Sequence, residues 1–262
     1  MVDLNLLKNG FNLSVLKLNV KTFETIDSTN VEAKRKIVDG NKQDLLIVSS
    51  RQTAGRGRLT RTWFSPEGGL YFSLVLRPRL GPQFAPLASL LCGCAVAKGL
   101  QSLGIEHVRL KWPNDVLVME DKIAGILNEL VSIDPVDSWM ILGVGINQNI
   151  SMNEFPEEIA SRSTSVIDIL GTETSPETLL CAIINEMDRL LAIVEAEKSF
   201  SSILKLWRQM SGTLGRKVRV EDGTTQIVGY AEDLLEDGSL VVLTENGREN
   251  VTMGDVTHLR SD

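Results

Sequence analysis

Three guanidinium groups fall within the eight residues Arg51-Gln52-Thr53-Ala54-Gly55-Arg56-Gly57-Arg58. Glycine has no Cβ, so the interleaved Gly55 and Gly57 let backbone N–H groups come close to an anion. The arginines add planar donor sets suited to phosphate or carboxylate. Such a segment could close over an anionic ligand, although the same composition also makes an ordinary solvated loop. Other polar groupings accompany it. Asp27-Ser28-Thr29-Asn30 can cap a helix, and its hydroxyls beside free helix N–H groups can equally take a polar ligand head group. Lys111-Trp112-Pro113-Asn114-Asp115 sets a lysine, an amide and a carboxylate around a Trp-Pro break, more than plain turn chemistry requires. Lys122 opens the apolar run Ile123-Ala124-Gly125-Ile126-Leu127, as a hairpin-end charge or as a cation aimed into a site. In Gly143-Val144-Gly145-Ile146-Asn147 the glycines stand at strand spacing. They allow close packing or the approach of a flat ligand, with Asn147 as a polar contact.

The elements that would position these groups alternate along the chain. Val20 to Ile26 alternates as a strand does, and Asp27-Ser28-Thr29 leads into a helix from Asn30 to Asp39 that stops at Gly40. Leu45 to Ser50 is a short apolar run, read as a buried strand feeding the Gly/Arg loop, and Leu70 to Leu76 is the next strand. A long helix spans Pro86 to Leu103. Strands follow at Val108 to Lys111, Asp115 to Val118, Lys122 to Val131 and Trp139 to Ile146. Ile150 to Thr164 is polar and poorly periodic, so it reads as loop with one short turn. Ser175-Pro176-Glu177 opens a helix to about Glu197, and another covers Phe200 to Met210. From Gly215 the character changes. Short runs at Val218–Val220, Gln226–Ala231, Leu240–Leu243 and Asn250–Met253 are separated by Asp222-Gly223, Asp237-Gly238 and Asn246-Gly247, three hairpin signals that predict a small β-barrel.

Composition narrows the class. At 262 residues the chain can bury a sizeable core and carry a small second domain. Acidic residues outnumber basic ones 34 to 27, a net charge of −7, which argues against broad nucleic-acid or membrane-surface binding. The most apolar stretch, Leu87 to Leu103, contains glycines, serines and Lys98, and reads as a buried helix and not a membrane span. Leu4 to Val20 lacks the uninterrupted apolar core of a signal peptide. Three cysteines, without metal-ligand spacing beyond Cys92-x-Cys94, fit a reduced cytoplasmic compartment.

Taken in order, these groupings resemble the biotin–protein ligases (biotin–[acetyl-CoA-carboxylase] ligases) over nearly the whole chain. The resemblance rests on Asp27 to Asn30, Gln52 to Arg58, Arg61-x-Trp63-x-Ser65-Pro66-x-Gly68-Gly69-Leu70, Lys111 to Asp115, Lys122 to Leu127 with Glu129, and Gly143-x-Gly145-Ile146-Asn147. Each alone is weak; all six in order are a specific signal. It implies an α+β fold: a mixed sheet with packed helices of the class II synthetase-like kind over residues 1–212, then an SH3-like barrel over 213–262. The implied reaction has two steps. Biotin and ATP give biotinyl-5′-AMP and pyrophosphate, with Mg²⁺, and a lysine of a biotin carboxyl carrier domain then takes the biotin and releases AMP.

The resemblance also implies roles. Lys122, Arg58 and Asp115 are the catalytic candidates, since two anions brought together need fixed positive charge between them. Ser28, Thr29, Gln52 and Gly55 face biotin, Trp63 is an aromatic wall beside biotin and nucleotide, Arg56, Arg58 and Lys122 contact both ligands, and Arg56 also orders the loop. Lys111, Asn114, Asp115 and Asn147 contact the nucleotide. No covalent nucleophile is required, consistent with only His107 and His258 being available for a triad. Regulatory members of the family carry an N-terminal DNA-binding domain of about sixty residues. About twenty residues precede the first matched strand here, so the expectation is no DNA binding, together with no membrane association and, as members are often dimers, a homodimer. Rival readings are a lipoate ligase of the same fold, an octanoyltransferase using Cys92 or Cys94, and an RNA-binding module. The last expects a basic, aromatic-rich surface, against 5% aromatics here.

Overall fold

The computed structural model describes residues 2–78, 80–81, 84–134, 137–221 and 225–259. Its first part runs α1 (Leu4–Gly10), β1 (Asn19–Ile26), α2 (Thr29–Val38), β2 (Leu45–Gln52), β3 (Leu70–Leu76), α3 (Ala85–Ser102), β4 (Val108–Lys111), β5 (Asp115–Val118), β6 (Asp121–Ser132) and β7 (Ser138–Ile146). Short helices α4 (Glu157–Ala160) and α5 (Val166–Leu170) precede the long α6 (Pro176–Glu197) and α7 (Ser201–Met210). Seven strands form one sheet in the order β1-β2-β3-β7-β6-β5-β4. β1 and β2 are parallel, joined through α2, and the other neighbours are antiparallel.

Both faces of the sheet centre are covered, which is why β2, β3 and β7 read as continuous apolar runs and not as alternating ones. Alternate residues still separate by face. Leu46, Val48, Phe72, Leu74, Leu142 and Val144 join the main core with α3, α6 and α7. Leu45, Ile47, Val75, Trp139 and Ile141 meet Ala33 and Ile37 of α2 on the opposite face. Helix α3 is apolar on every side because it lies between the sheet and α6 and α7. Among the described residues no helix is long and apolar enough to cross a membrane.

Two stretches differ from their sequence reading. Within 150–164 there are a one-turn 3₁₀ segment at Met152–Glu154, closed by a reciprocal Ser151–Glu154 capping box, and α4. These turns are too short to show periodicity. Helix α1 likewise carries no readable period over its seven residues. The segment that follows it is anchored from a distance: the buried Asp188 carboxylate of α6 accepts from the N–H groups of Ser14, Val15 and Leu16 and from the Ser14 hydroxyl at 2.7–2.9 Å.

The chain ends in β8 (Lys217–Glu221), β9 (Gln226–Leu234), β10 (Leu240–Thr244), β11 (Gly247–Val251) and β12 (Asp255–His258). Gly238 (φ 85°) and Gly247 (φ 113°) take the left-handed backbone that their hairpin turns require, as Asp237-Gly238 and Asn246-Gly247 predict. The Asp222-Gly223 signal lies outside the described residues. The small β-barrel of the sequence reading is a five-stranded antiparallel sheet in the order β11-β10-β9-β8-β12, in which, among the described residues, the two outer strands are not paired to each other. β12, which the sequence reading leaves out, supplies one of those outer strands. This unit seats on the Trp-Pro break. The Trp112 indole donates to Gly238 O (3.0 Å), and the Trp112 backbone N–H donates to the Thr213 hydroxyl (3.1 Å).

Candidate active site

α2 covers only part of its face of the sheet. Beyond its first turn lies a cleft floored by Gly125 and Leu127 of β6 and Gly143 and Gly145 of β7. Glycines are needed there for a concrete reason. A Cβ on Gly145 would run into the Trp63 indole, and one on Gly143 into the Asn30 amide. The flat group lying on this floor is thus the chain's own tryptophan. Its indole N–H is buried without a partner.

Ser28 and Thr29 open the cleft at the start of α2. Ser28 occupies the cap position, yet its hydroxyl caps nothing, so the capping reading fails and a buried donor–acceptor faces the cavity. The Thr29 N–H and hydroxyl both donate to Gln52 Oε1 (2.8 and 3.2 Å). Gln52 Nε2 donates to Ser65 Oγ (3.0 Å), and Ser65 in turn to Trp63 O (2.9 Å). The Gly/Arg segment itself is a small hairpin: Gly57 N–H donates to Arg61 O (2.8 Å) and Trp63 N–H to Gly55 O (3.0 Å). Gly55 does not line the cleft. A Cβ there would strike Ser65 Oγ and the Trp63 carbonyl, so its role is close approach within the hairpin.

Every cation of the cleft is matched to a carboxylate from a different element. Lys122 Nζ is 2.6 Å from Asp115 Oδ1, and 5.1 Å above the Trp63 ring. Arg56 pairs with Glu129 of β6 at 3.2 Å. Arg58 and Arg61 share Asp255 of β12, at 3.4 and 2.5 Å, and Arg58 also donates to Gly254 O (3.1 Å) and Asn114 Oδ1 (3.3 Å). Four cations against three carboxylates leave a site poised for anions, with side chains already oriented.

Of the residues singled out in the sequence, Ser28, Thr29, Gln52, Arg56, Arg58, Trp63, Asn114, Asp115 and Lys122 come together in the lining, while Gly55, Lys111 and Asn147 do not. Asn147 is buried, and its amide donates to the carbonyls of Thr164 (3.0 Å) and Lys122 (3.5 Å). Lys111 lies opposite Asp115 in the β4–β5 ladder, and burial holds its ammonium below the usual lysine range. Burial, then Lys111 and Arg216, push His258 down to about 4, so it is a neutral imidazole at pH 7. Cys92 and Cys94 are buried in α3 away from the cleft, and burial pushes the Cys92 thiol up to about 12, which removes the nucleophile an octanoyltransferase needs. The sequence reading leaves out Asp255, a lone acid in the C-terminal tail with no local signal. It also leaves Glu129 without a role, although the period-two alternation of β6 places Glu129 on the same face as Gly125 and Leu127.

Fold and cleft define an α+β enzyme domain whose cleft joins a neutral hydrogen-bonding end (Ser28, Thr29) to an end lined by Arg56, Arg58, Arg61 and Lys122. Residues 22–147 match the Biotin/lipoate A/B protein ligase family, and residues 213–259 match the Biotin protein ligase C terminal domain. The Escherichia coli (strain K12) bifunctional ligase/repressor BirA is 32% identical over 244 residues, covering 93% of this chain and 74% of that protein. The biotin–[acetyl-CoA-carboxylase] ligase of Paracoccus denitrificans is 30% identical over 233 residues, covering 88% and 96%. A biotin protein ligase from Aquifex aeolicus, solved in complex with biotin and ATP, superposes with a TM-score of 0.80 at 34% identity over 93% of this chain and 99% of that one. The chain belongs to the biotin protein ligase family.

Proposed function

We propose that this chain activates biotin with ATP to biotinyl-5′-AMP and transfers the biotin to a lysine of a biotin carboxyl carrier domain. The observation that carries the reading is the joining, in one cleft, of a neutral hydrogen-bonding end (Ser28, Thr29) to an end furnished with Lys122, Arg56, Arg58 and Arg61. Biotin has that polarity: an uncharged ureido ring at one end, and at the other a carboxylate that must meet a phosphate. Neutral donors and acceptors suit the ring, while fixed cations offset the repulsion between the two anions.

Ser28, Thr29 and Gln52 take the ureido ring, and Trp63, seated on Gly125 and Gly145, forms a wall beside the valeryl chain. Lys122 and Arg58 lie between carboxylate and α-phosphate and stabilise the charge that develops there. Asn114 meets the nucleotide. Asp115 holds Lys122, and as a hard oxygen donor in the cleft it suits a Mg²⁺ ion that arrives on the triphosphate and keeps most of its water. Lys111 and Asn147, outside the lining, support the nucleotide side of the cleft by placing Asp115 and the Lys122 backbone. The hairpin of Arg56 and Arg58 excludes water from the mixed anhydride until an acceptor arrives. Residues 1–212 form the catalytic unit and 213–262 the second unit, the protein works in the cytoplasm, and it forms a homodimer.

The test is mass spectrometry of the small-molecule products after incubation with ATP, Mg²⁺ and equimolar biotin and lipoate. Biotinyl-AMP alone is expected; lipoyl-AMP alone, or no adenylate, overturns the reading.

A further inference from the structure

Glu129 stands outside the lining of the cleft, yet it is tied to both of its ends. Its Oε1 accepts from Arg56 Nη1 at 3.2 Å, and its Oε2 accepts from Asn30 Nδ2 at 2.7 Å. Asn30 is 4% exposed and saturated: its Oδ1 accepts from the fully buried Ser73 hydroxyl at 2.6 Å, and Nδ2 also reaches Leu127 O at 3.4 Å. The amide lies against Gly143, where a Cβ would displace it. Asn30 therefore cannot turn, and the carboxylate bound to it is fixed from inside the protein.

We propose that Glu129 is a positioning residue for adenylation. It holds Arg56 over the cleft and couples it, through Asn30, to the helix start that receives the ureido ring. This rests on the biotin ligase reading above. An ion pair as exposed as Arg56–Glu129 is worth little by itself. Its value here is geometric: an arginine on a hairpin is held by a partner whose position the buried sheet dictates. Asn30 directly follows Thr29, so Thr29, Asn30, Glu129 and Arg56 form one connected path from the neutral end of the cleft to its cationic end.

Position and charge make opposite forecasts, which makes the idea testable. Glu129→Gln deletes a negative charge close to where two anions bind. If Glu129 acted only through its field, ATP would bind more tightly. If it positions Arg56, the KM for ATP rises, about fivefold, with a smaller change in kcat, and the effect needs Arg56 to be present. The experiment is a double-mutant cycle on the full chain, Glu129→Gln with Arg56→Ala, read as initial rates of pyrophosphate release with biotin and MgATP. The expected result is that Glu129→Gln changes KM less than twofold in the Arg56→Ala background. A fall or no change in KM for the single variant, or penalties that multiply in the double variant, overturns the proposal. If Glu129→Gln does not fold, Glu129→Asp, which keeps the charge but reaches only one of the two partners, is read by the same criteria. Wild-type protein releasing no biotin-dependent pyrophosphate would overturn the ligase reading and this inference with it. An active wild type leaves the cycle to judge Glu129 alone.

Discussion

Replacing Lys122 by methionine isolates its charge. Methionine keeps much of the bulk of the lysine stem, while the ammonium 5.1 Å above the Trp63 ring disappears. The lysine backbone is pinned from both sides: its N–H donates to Arg162 O at 3.0 Å, and its carbonyl accepts from Thr164 N–H at 3.0 Å. The side chain is thus delivered to the cleft by a strand, and its 2.6 Å contact with Asp115 holds Nζ there, where the proposed reaction brings carboxylate and phosphate together. A hydrogen bond to a charged group contributes roughly 1.5–3 kcal/mol. A donor aimed at charge that grows in the transition state contributes about 2.7–4 kcal/mol. Loss of the ammonium also leaves Asp115 unneutralised beside an incoming phosphate. At 6–8 Å and an intermediate dielectric that repulsion is roughly 1–3 kcal/mol, discounted here because Asp115 is partly solvated. The hydrogen-bond and transition-state figures overlap and are not summed, which gives a loss of about 10²–10³ in the rate of adenylation. The assay is biotin-dependent pyrophosphate release at saturating substrates, with thermal unfolding as a check on folding. A folded Lys122→Met variant that releases pyrophosphate within about tenfold of wild type would refute the placement of Lys122 between the two anions.

Asp255→Ala should lower kcat/KM for adenylation by roughly 5–30-fold, because Arg58 and Arg61 lose a shared partner worth about 1–2 kcal/mol; unchanged kinetics would detach the C-terminal unit from the cleft. Gly145→Ala should drive the Trp63 indole off its floor, costing about 1–3 kcal/mol of local packing. Trp112, Trp139 and Trp207 are buried, so a red-shifted tryptophan emission with weakened biotin binding is the expected signature, and an unchanged spectrum counts against it. Asp188→Asn should cost about 2–3 kcal/mol, lowering the thermal midpoint by roughly 5–10 °C, since an amide has one acceptor oxygen for four donors. Burial alone would raise the Asp188 carboxyl, but the N–H groups of Leu16, Ser14 and Val15 and the Ser14 hydroxyl outweigh it and hold it below the usual carboxylate range. Its folded pKa is thus below its unfolded one. The stabilisation is complete above about pH 4 and is lost as pH falls through the folded value. Hydrogen exchange at the amides of Ser14, Val15 and Leu16 that does not accelerate on acidification below pH 4 would contradict this.

Much of the catalytic sheet was legible because its strands are buried on both faces or alternate strictly. Leu70–Leu76 and Asp115–Val118 coincide with their predicted bounds, and the ends of α3 differ by one residue. What was not legible is short or distant. A seven-residue helix and a four-residue helix carry no period, and the open order of the C-terminal sheet depends on which strands pair, which hairpin turns do not specify. In the cleft, residue type and spacing marked the cations, because lysine and arginine beside glycine are conspicuous. Their partners were not marked. Asp255 resembles any acid of the tail until β12 is folded against the hairpin, and the Ser28 hydroxyl reads as a cap until the helix proves not to use it.

The bond between Arg58 and Asp255 spans 197 positions of the chain. At a ribosomal rate of about 5–20 residues per second, the hairpin waits roughly 10–40 s for its clamp to be made. During that interval a growing polypeptide carries the arginines of the hairpin but not the carboxylate that seats two of them. The cationic hairpin therefore takes its final seat late in translation, with the making of β12.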